Sequence, residues 1–408
     1  MAVRKLTTWQ EWLEADRLIY TAFLHPWDEE KASEKVQAQA KGTEPRPEQT
    51  WGLTDEDGTL LAAITTLDHQ MYFGGTTVDV GEVHMVGSRV ESRGGGNVRT
   101  LMKEILDDFT ARGHAFAALI PFSCSFYRKF GFELASHATK QKVPMDQLAG
   151  IRCDFRATHV EREEDVATVR ALYDDFAHVR TLASVRTDAD WHWRGNGEFG
   201  ERDWMMGDSR LHTYVLWDED DKACAFVTFA FKHEPNMPFF GELVVTDLAY
   251  DGPEAFRGLL GLLYRLRAKA GSVTFELRDD IDLATFLPEG DDVERTAVDF
   301  AMLRILDVSH VLELMPHPPI EGSFTLEVDD DFLPQNSGIY RVQVGPEGTH
   351  VERCDAQTDL RVTIQTLTLL ASGRIGLEGA LFREGTHLAG NEELLSRVFT
   401  KRPLHFRL

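Results

Sequence analysis

One pattern occurs twice in this chain and restricts the folds open to it. WGLTDEDGTLLAAI (51–64) and YVLWDEDDKACAFV (214–227) both read as an aromatic-led strand, an acidic turn and an apolar strand. Further on, VRTLMKEIL (98–106) and RGLLGLLYRL (257–266) are both amphipathic helices, displaced by a similar offset of roughly 160 residues. Strand-like segments at 115–120 and 272–277 follow the two helices. Strand, turn, helix, strand is the grammar of a partly parallel sheet. Its repetition in the same order predicts a tandem duplication rather than one large domain.

Periodicity fills in the rest. Trp12, Leu13, Ala15, Leu18, Ile19, Ala22 and Phe23 recur at helical spacing and predict helix within 7–40. KGTEPRPEQT (41–50) is polar with two prolines and reads as an exposed loop. Strands are expected at 51–53, 60–67 and 83–88, the first two joined at Asp57-Gly58, a hairpin turn signal. A helix is expected at 97–112. From about residue 285 the grammar changes. A helix-like stretch, VDFAMLRILDVSHVLELM (298–315), leads into His317-Pro318-Pro319. Strands at 322–328 and 338–344 follow, and helices near 359–371 and 392–399 close the chain. The expected domains are 1–155, 156–284 and 285–408. The first two are α/β with central mixed sheets and the third is α+β.

Composition excludes several classes. Asp+Glu total 67 against Lys+Arg 43, a net charge of −24, which argues against a large nucleic-acid or anionic-membrane footprint. The balance is compatible with a cationic substrate. No apolar run approaches the ~18 residues of a membrane span. The start, MAVRKLTTWQEWLEADRL, has no apolar core followed by a small-residue cleavage site, so a cytoplasmic protein is expected. Cys124, Cys153, Cys224 and Cys354 form no C-x-x-C pair, and no H-E-x-x-H is present. Reduced thiols and no metal site are the expectation.

The sharpest local signal is Val86-Gly87-Ser88-Arg89-Val90-Glu91-Ser92-Arg93-Gly94-Gly95-Gly96, between a strand and a helix. Glycines let successive N–H groups point at one spot, and the helix adds its positive end there. Arg93 adds a delocalised cation suited to phosphate oxygens. No G-K-[ST] follows, so this is not a P-loop, and Gly94-x-Gly96 lacks the third glycine of a dinucleotide fingerprint. A pyrophosphate cradle and a flexible turn are the readings left. The second copy has Asp251, Pro253 and Glu254 at the equivalent place, so only the first copy is expected to bind an anion. Downstream, FYRKFGFE (126–133) reads as a short helix, a glycine stop and a strand. Phe126, Phe130 and Phe132 fit core packing, and Tyr127 fits either a packed ring or a functional phenol. Asp28, beside Phe23 and Trp27, fits a cationic-amine pocket or a solvated helix end. Trp191 and Trp193 read as packing residues.

On these residues the chain resembles the Eis-type (enhanced intracellular survival) acetyltransferases of the GNAT superfamily. Arg93 to Gly96 is similar to the family's R-x-x-G acetyl-CoA loop, and FYRKFGFE to its Y-x-x-F-G-[FY] stretch. MLRILDVSHVLELM, LEVDDDFLPQN, DLRVTIQTLTLLASGRI and LFREGTHLAGNEELLSRVF resemble the family's C-terminal domain, which is similar to sterol carrier protein type 2. The resemblance implies tandem GNAT domains, of which the second is degenerate and lacks a cofactor loop. It implies acetyl transfer from acetyl-CoA, without metal, to a primary amine of a small cationic molecule or a lysine-bearing peptide. It also implies backbone contacts to the pantetheine arm from Val86 and Ser88, and pyrophosphate contacts from Arg93, Gly94, Gly95 and Gly96. Tyr127 falls on the family's general acid, and the C-terminal carboxylate of Leu408 on its base or proton relay. A homo-oligomer, a hexamer in the family, is the expected assembly. Val90 stands where the family has proline, and Gly94 and Gly95 where it has further basic residues. The other outcome these departures allow is a decayed enzyme that binds lipid or a partner through its C-terminal domain.

Overall fold

The computed structural model describes residues 1–406 except 45, 47, 162, 192–210, 235, 236, 279 and 299. Among these the chain forms two compact units. One runs through Met1–Ser136 and returns through Phe300–Arg402; the other holds His137–Asp299 with Pro403–Phe406. Compactness cuts the chain near 136 and 300, because strand pairing ignores the order of the repeats.

The first unit begins with β1 (Ala2–Leu6), α1 (Trp9–Ala22), α2 (Glu29–Ala40), β2 (Gln49–Thr54), β3 (Leu60–Phe73), β4 (Thr76–Ser88), α3 (Asn97–Ala111), β5 (Phe116–Leu119), α4 (Cys124–Arg128) and β6 (Glu133–Leu134). The second unit contains β7 (Ala138–Pro144), β8 (Arg156–His159), α5 (Glu163–Ala177), α6 (Asp188–Trp191), β9 (Leu211–Trp217), β10 (Ala223–Glu234), β11 (Met237–Tyr250), α7 (Gly252–Tyr264), β12 (Ala270–Leu277) and β13 (Glu294–Val298). The chain returns to the first unit with β14 (Met302–Ile305), α8 (Val308–Leu314), β15 (Gly322–Asp329), β16 (Gly338–Gly345), β17 (Gly348–Cys354), β18 (Leu360–Thr363), α9 (Ile364–Ser372), α10 (Leu377–Ala380), β19 (His387–Leu388) and α11 (Glu392–Val398).

The strand orders show the duplication. The first sheet is β1-β2-β3-β4-β5-β14-β6 and the second, read the same way, is β8-β9-β10-β11-β12-β7-β13. Each has one parallel pair, β4–β5 and β11–β12, joined through the amphipathic helices α3 and α7. The sixth position of each sheet is filled by a strand from the other repeat's end of the chain. A bulge is also shared. Thr65 and Thr66 pair with Met85 and Val83, leaving His84 extra; Thr228 and Phe229 pair with Asp247 and Val245, leaving Thr246 extra. A third sheet, β17-β16-β15-β18-β19, carries α9 and α11.

Three local expectations are corrected. Met302–Ile305 is a strand, not the start of a helix. It is buried at every residue between β5 and β6, and an unbroken apolar run does not distinguish a two-faced buried strand from a buried helix. The segment 359–371 also starts as a strand, with the helix beginning only after the Thr363 side chain caps it. Within 7–40 there are two helices, because Leu24 takes φ 57° and Asp28 caps a new start.

Packing is set by the expected faces. α3 buries Leu101, Met102, Ile105, Leu106 and Phe109 against the first sheet, each contributing about 1.5–3 kcal/mol. On the opposite face α1 lies so close to β4 that a Cβ on Gly87 would meet the Ile19 Cα at 2.8 Å.

Candidate active site

The site lies in the first unit, where β4 and β5 part. They pair only at Val80–Phe116, Gly81–Ala117 and Glu82–Ala118. Beyond Glu82, β4 stays bonded to β3 as far as Ser88 but has no further pair on β5. Val86 and Ser88, both partly exposed, lie on this free stretch. Its backbone polar groups on the β5 side are available to an extended ligand.

The loop that follows is built to receive an anion. After a short turn at Val90–Ser92, Gly94 and Gly96 take φ of 87° and 80°, and Gly96 caps α3. A Cβ at either glycine would meet nothing within 4 Å, so it is the left-handed backbone, not crowding, that favours glycine there. The buried Asn97 side chain fixes the loop by donating to Ser92 O at 3.2 Å and to its Oγ at 3.1 Å. Among the described residues, the N–H groups of Gly94, Gly95 and Gly96 donate no hydrogen bond. The first turn of α3 holds no acidic side chain. Arg93 is exposed, and its Nη2 reaches Ala22 O at 3.5 Å, tying the loop to the end of α1. Unspent backbone donors, a helix positive end and an exposed guanidinium with no acidic partner among the described residues fit a pyrophosphate. At the equivalent place in the second unit, Asp251 precedes α7 and pairs with Lys222 at 3.0 Å, and Pro253 removes one donor.

Tyr127, in α4, is 3% exposed and surrounded by aromatic rings. Phe122, Phe126, Phe130 and Phe132 lie at centroid distances of 5.4, 5.1, 6.4 and 6.3 Å. Burial pushes its phenol above the ordinary tyrosine range, so it holds its proton at neutral pH. The three phenylalanines of the motif are core residues: Phe130 and Phe132 are buried, and Phe126 packs on the same cluster.

The C-terminal part of the first unit holds α4 in place. Arg304 of β14 is fully buried, pairs with Asp330 at 2.5 Å and donates to Phe130 O. Gly131 (φ 84°) leaves room for this guanidinium; a Cβ there would overlap Arg304 Nη1. Phe332 packs on Phe130 at 5.1 Å. Buried Glu133 takes Arg128 at 2.6 Å and Arg383 at 2.5 Å. Burial opposes its charge, but these bonds hold its carboxyl below the usual value. Gln365 donates to Arg128 O at 3.0 Å.

The remaining expected residues are less closely gathered. Phe23 ends α1, half-exposed, and stacks on His25 at 6.1 Å. Trp27 packs edge-on against Tyr20 at 5.5 Å and donates to Glu29 at 2.6 Å. Asp28 caps α2, accepting from Lys31 N at 3.2 Å. Trp191 is buried against Tyr173 at 5.7 Å, whereas Trp193 and Leu408 lie outside the described residues. Sequence reasoning missed His69, Glu82 and His84. The available signal was Glu82 and His84, polar residues two apart in a strand whose other residues from Val80 to Val86 are apolar or glycine. Among the described residues no group of three or more His, Cys, Asp or Glu could hold a metal ion, and no helix is long and apolar enough to cross a membrane.

Comparison with known proteins accords with this geometry. Residues 2–135 and 182–305 each match an acetyltransferase (GNAT) domain, and residues 308–407 match a sterol carrier protein domain. The chain carries two GNAT acetyltransferase domains in tandem and a C-terminal sterol carrier protein domain. An uncharacterized N-acetyltransferase of Streptomyces coelicolor is 24% identical over 350 residues, covering 81% of each chain. A GCN5-related N-acetyltransferase from Anabaena variabilis superposes with TM-score 0.81 at 19% identity, covering 99% of this chain and 98% of that one. Eis1 from Mycobacterium abscessus superposes with TM-score 0.79 at 18% identity, covering 100% and 99%. The Eis-like fold expected from the motifs is thus the fold observed. This GNAT acyltransferase has its glycine loop in the first of its two GNAT domains.

Proposed function

We propose that this acyltransferase moves acetyl from acetyl-CoA to the primary amine of a cationic small molecule, aminoglycoside-like or polyamine-like, or of a lysine side chain. The observation that carries the reading is the row of undonated N–H groups at Gly94–Gly96, beside Arg93 and at the start of α3. They would hold the pyrophosphate, and the free backbone of Val86 and Ser88 the pantetheine arm. An amine attacks only when neutral, and a lysine-like amine has a pKa of about 10.4, so the site must take up a proton. The departing thiolate, with a pKa of about 8.5, needs a donor, and the phenol of Tyr127, which keeps its proton at neutral pH, supplies it in this reading. The terminal carboxylate of Leu408 attracts the ammonium and relays its proton. A cytoplasmic homo-oligomer, a hexamer by family resemblance, completes the proposal.

The test is free-thiol release from acetyl-CoA with a panel of polyamines, aminoglycosides and lysine peptides. Release above blank with at least one amine is expected; none with any amine sinks the reading. Acetyl-CoA alone, at 100 times its Kd, is expected to stabilise the protein by about 2.7 kcal/mol, seen as a raised melting temperature. Arg93→Ala is expected to raise the acetyl-CoA KM about tenfold with kcat little changed, since a charge-assisted contact contributes roughly 1.5–3 kcal/mol. An unchanged KM would remove Arg93 from the pyrophosphate site.

A further inference from the structure

Glu82 is a carboxylate inside a strand, with its side chain only 7% exposed, and it bonds two imidazoles. Its Oε2 meets His69 Nε2 at 2.7 Å and its Oε1 meets His84 Nδ1 at 2.9 Å. Burial alone would raise this carboxyl, but the two imidazole bonds hold it at about 2. An ionised carboxylate accepts only, so each histidine presents an N–H to it. That fixes the tautomer of His84. Nδ1 carries the proton and Nε2 keeps a lone pair. Among the described residues Nε2 makes no hydrogen bond, and the side chain is 46% exposed. His84 is the bulged residue of β4, two positions past the last β4–β5 pair and two before Val86. A bulge re-aims a side chain, and this one lies on the stretch of β4 that has parted from β5.

The duplication provides an internal control. By register, Val244 stands where Glu82 does, Thr246 where His84 does and Lys232 where His69 does. The cluster is missing from the copy that has acids in place of the glycine loop. A purely structural buried network would have no reason to follow the cofactor loop.

We infer that His84 is the proton acceptor for the amine, with Glu82 and His69 as positioning residues. The inference rests on the amine-acetylation reading and makes His84, in place of the Leu408 carboxylate, the group that takes the proton; the carboxylate then only attracts the ammonium. In the step, Nε2 of His84 takes one proton from the amine as its nitrogen bonds the acetyl carbonyl carbon. The carbon–sulfur bond breaks with the Tyr127 hydroxyl donating a hydrogen bond to the departing thiolate; His84 passes its proton to solvent, and the released thiolate takes one from solvent. The hydrogen bond from Glu82 raises the His84 pKa; burial opposes it, and the charges of Glu82 and of Glu48, in the loop before β2, add to it. Glu48 is itself held by Arg46 at 3.4 Å. Because the base must be neutral, kcat/KM falls as pH drops through that raised value.

The experiment compares the wild type, His84→Gln, Glu82→Gln and a form extended beyond Leu408. Each is followed by the pH profile of kcat/KM for a reactive amine, by imidazole NMR titration and by acetyl-CoA melting shift. The acid limb of the wild type is expected to coincide with the His84 titration. His84→Gln is expected to lose that limb and about 10²–10³-fold in kcat while keeping the acetyl-CoA melting shift. Glu82→Gln is expected to move the limb and the His84 titration down in pH together. An unchanged limb in His84→Gln, or a limb lost only on C-terminal extension, overturns the assignment alone. No acetylation of any amine by the wild type overturns the transfer reading, and this inference with it.

Discussion

Tyr127→Phe is expected to lower kcat by about 10²–10³-fold while leaving both KM values within a few fold. The substitution removes one hydroxyl and keeps the ring that packs among Phe122, Phe126, Phe130 and Phe132. The melting temperature should therefore hardly move. The size of the effect follows from acidity. Burial has raised the phenol, whereas the departing thiolate has a pKa of about 8.5. Complete proton transfer before the carbon–sulfur bond breaks is uphill. The hydroxyl acts mainly by donating a hydrogen bond to the developing sulfur charge, and low-dielectric surroundings strengthen such a bond. That places the effect with a lost charge-stabilising donor rather than at the upper end of general acid catalysis. Steady-state kinetics over acetyl-CoA and amine concentrations measures it. A kcat within threefold of wild type, as judged against these magnitudes, takes Tyr127 out of the donor role.

Asp330→Ala is expected to destabilise the first unit by about 3–5 kcal/mol, because it leaves Arg304 buried and unpaired. Both side chains are fully buried. Asp330 also accepts from Phe332 N at 3.1 Å, Leu333 N at 3.0 Å and Asn336 Nδ2 at 3.0 Å, so the turn that carries Phe332 loosens as well. Phe332 packs on Phe130, three residues after Tyr127, so kcat should fall alongside stability. Replacing both partners, Arg304→Met with Asp330→Leu, should be less damaging than Asp330→Ala, since no charge is then stranded. Denaturant unfolding of the three proteins decides it. A loss under about 1 kcal/mol for Asp330→Ala would show that the pair is well solvated or dispensable.

These two residues also mark how far the sequence could be read. Tyr127 was visible because its motif is local: a short helix, a glycine stop and three phenylalanines within eight residues. Asp330 was visible only as part of an acidic string, since its partner Arg304 is 26 positions away in what read as a helix. The glycine loop was legible for the same reason as Tyr127. A backbone that needs left-handed φ at Gly94 and Gly96 writes that need into consecutive residues.

Features that act over a few neighbours were legible without a structure. These include the hairpins, the amphipathic faces of α3 and α7, the repetition of the βαβ unit and the loop where an anion can sit. Tertiary structure alone decided that β14 enters the first sheet and β7 the second, and that the C-terminal domain braces α4. It alone also showed that a bulge at His84 brings two imidazoles onto one buried carboxylate. Each of these depends on partners many residues apart. Hydrophobic periodicity records which face of an element is buried, but not which distant element covers it.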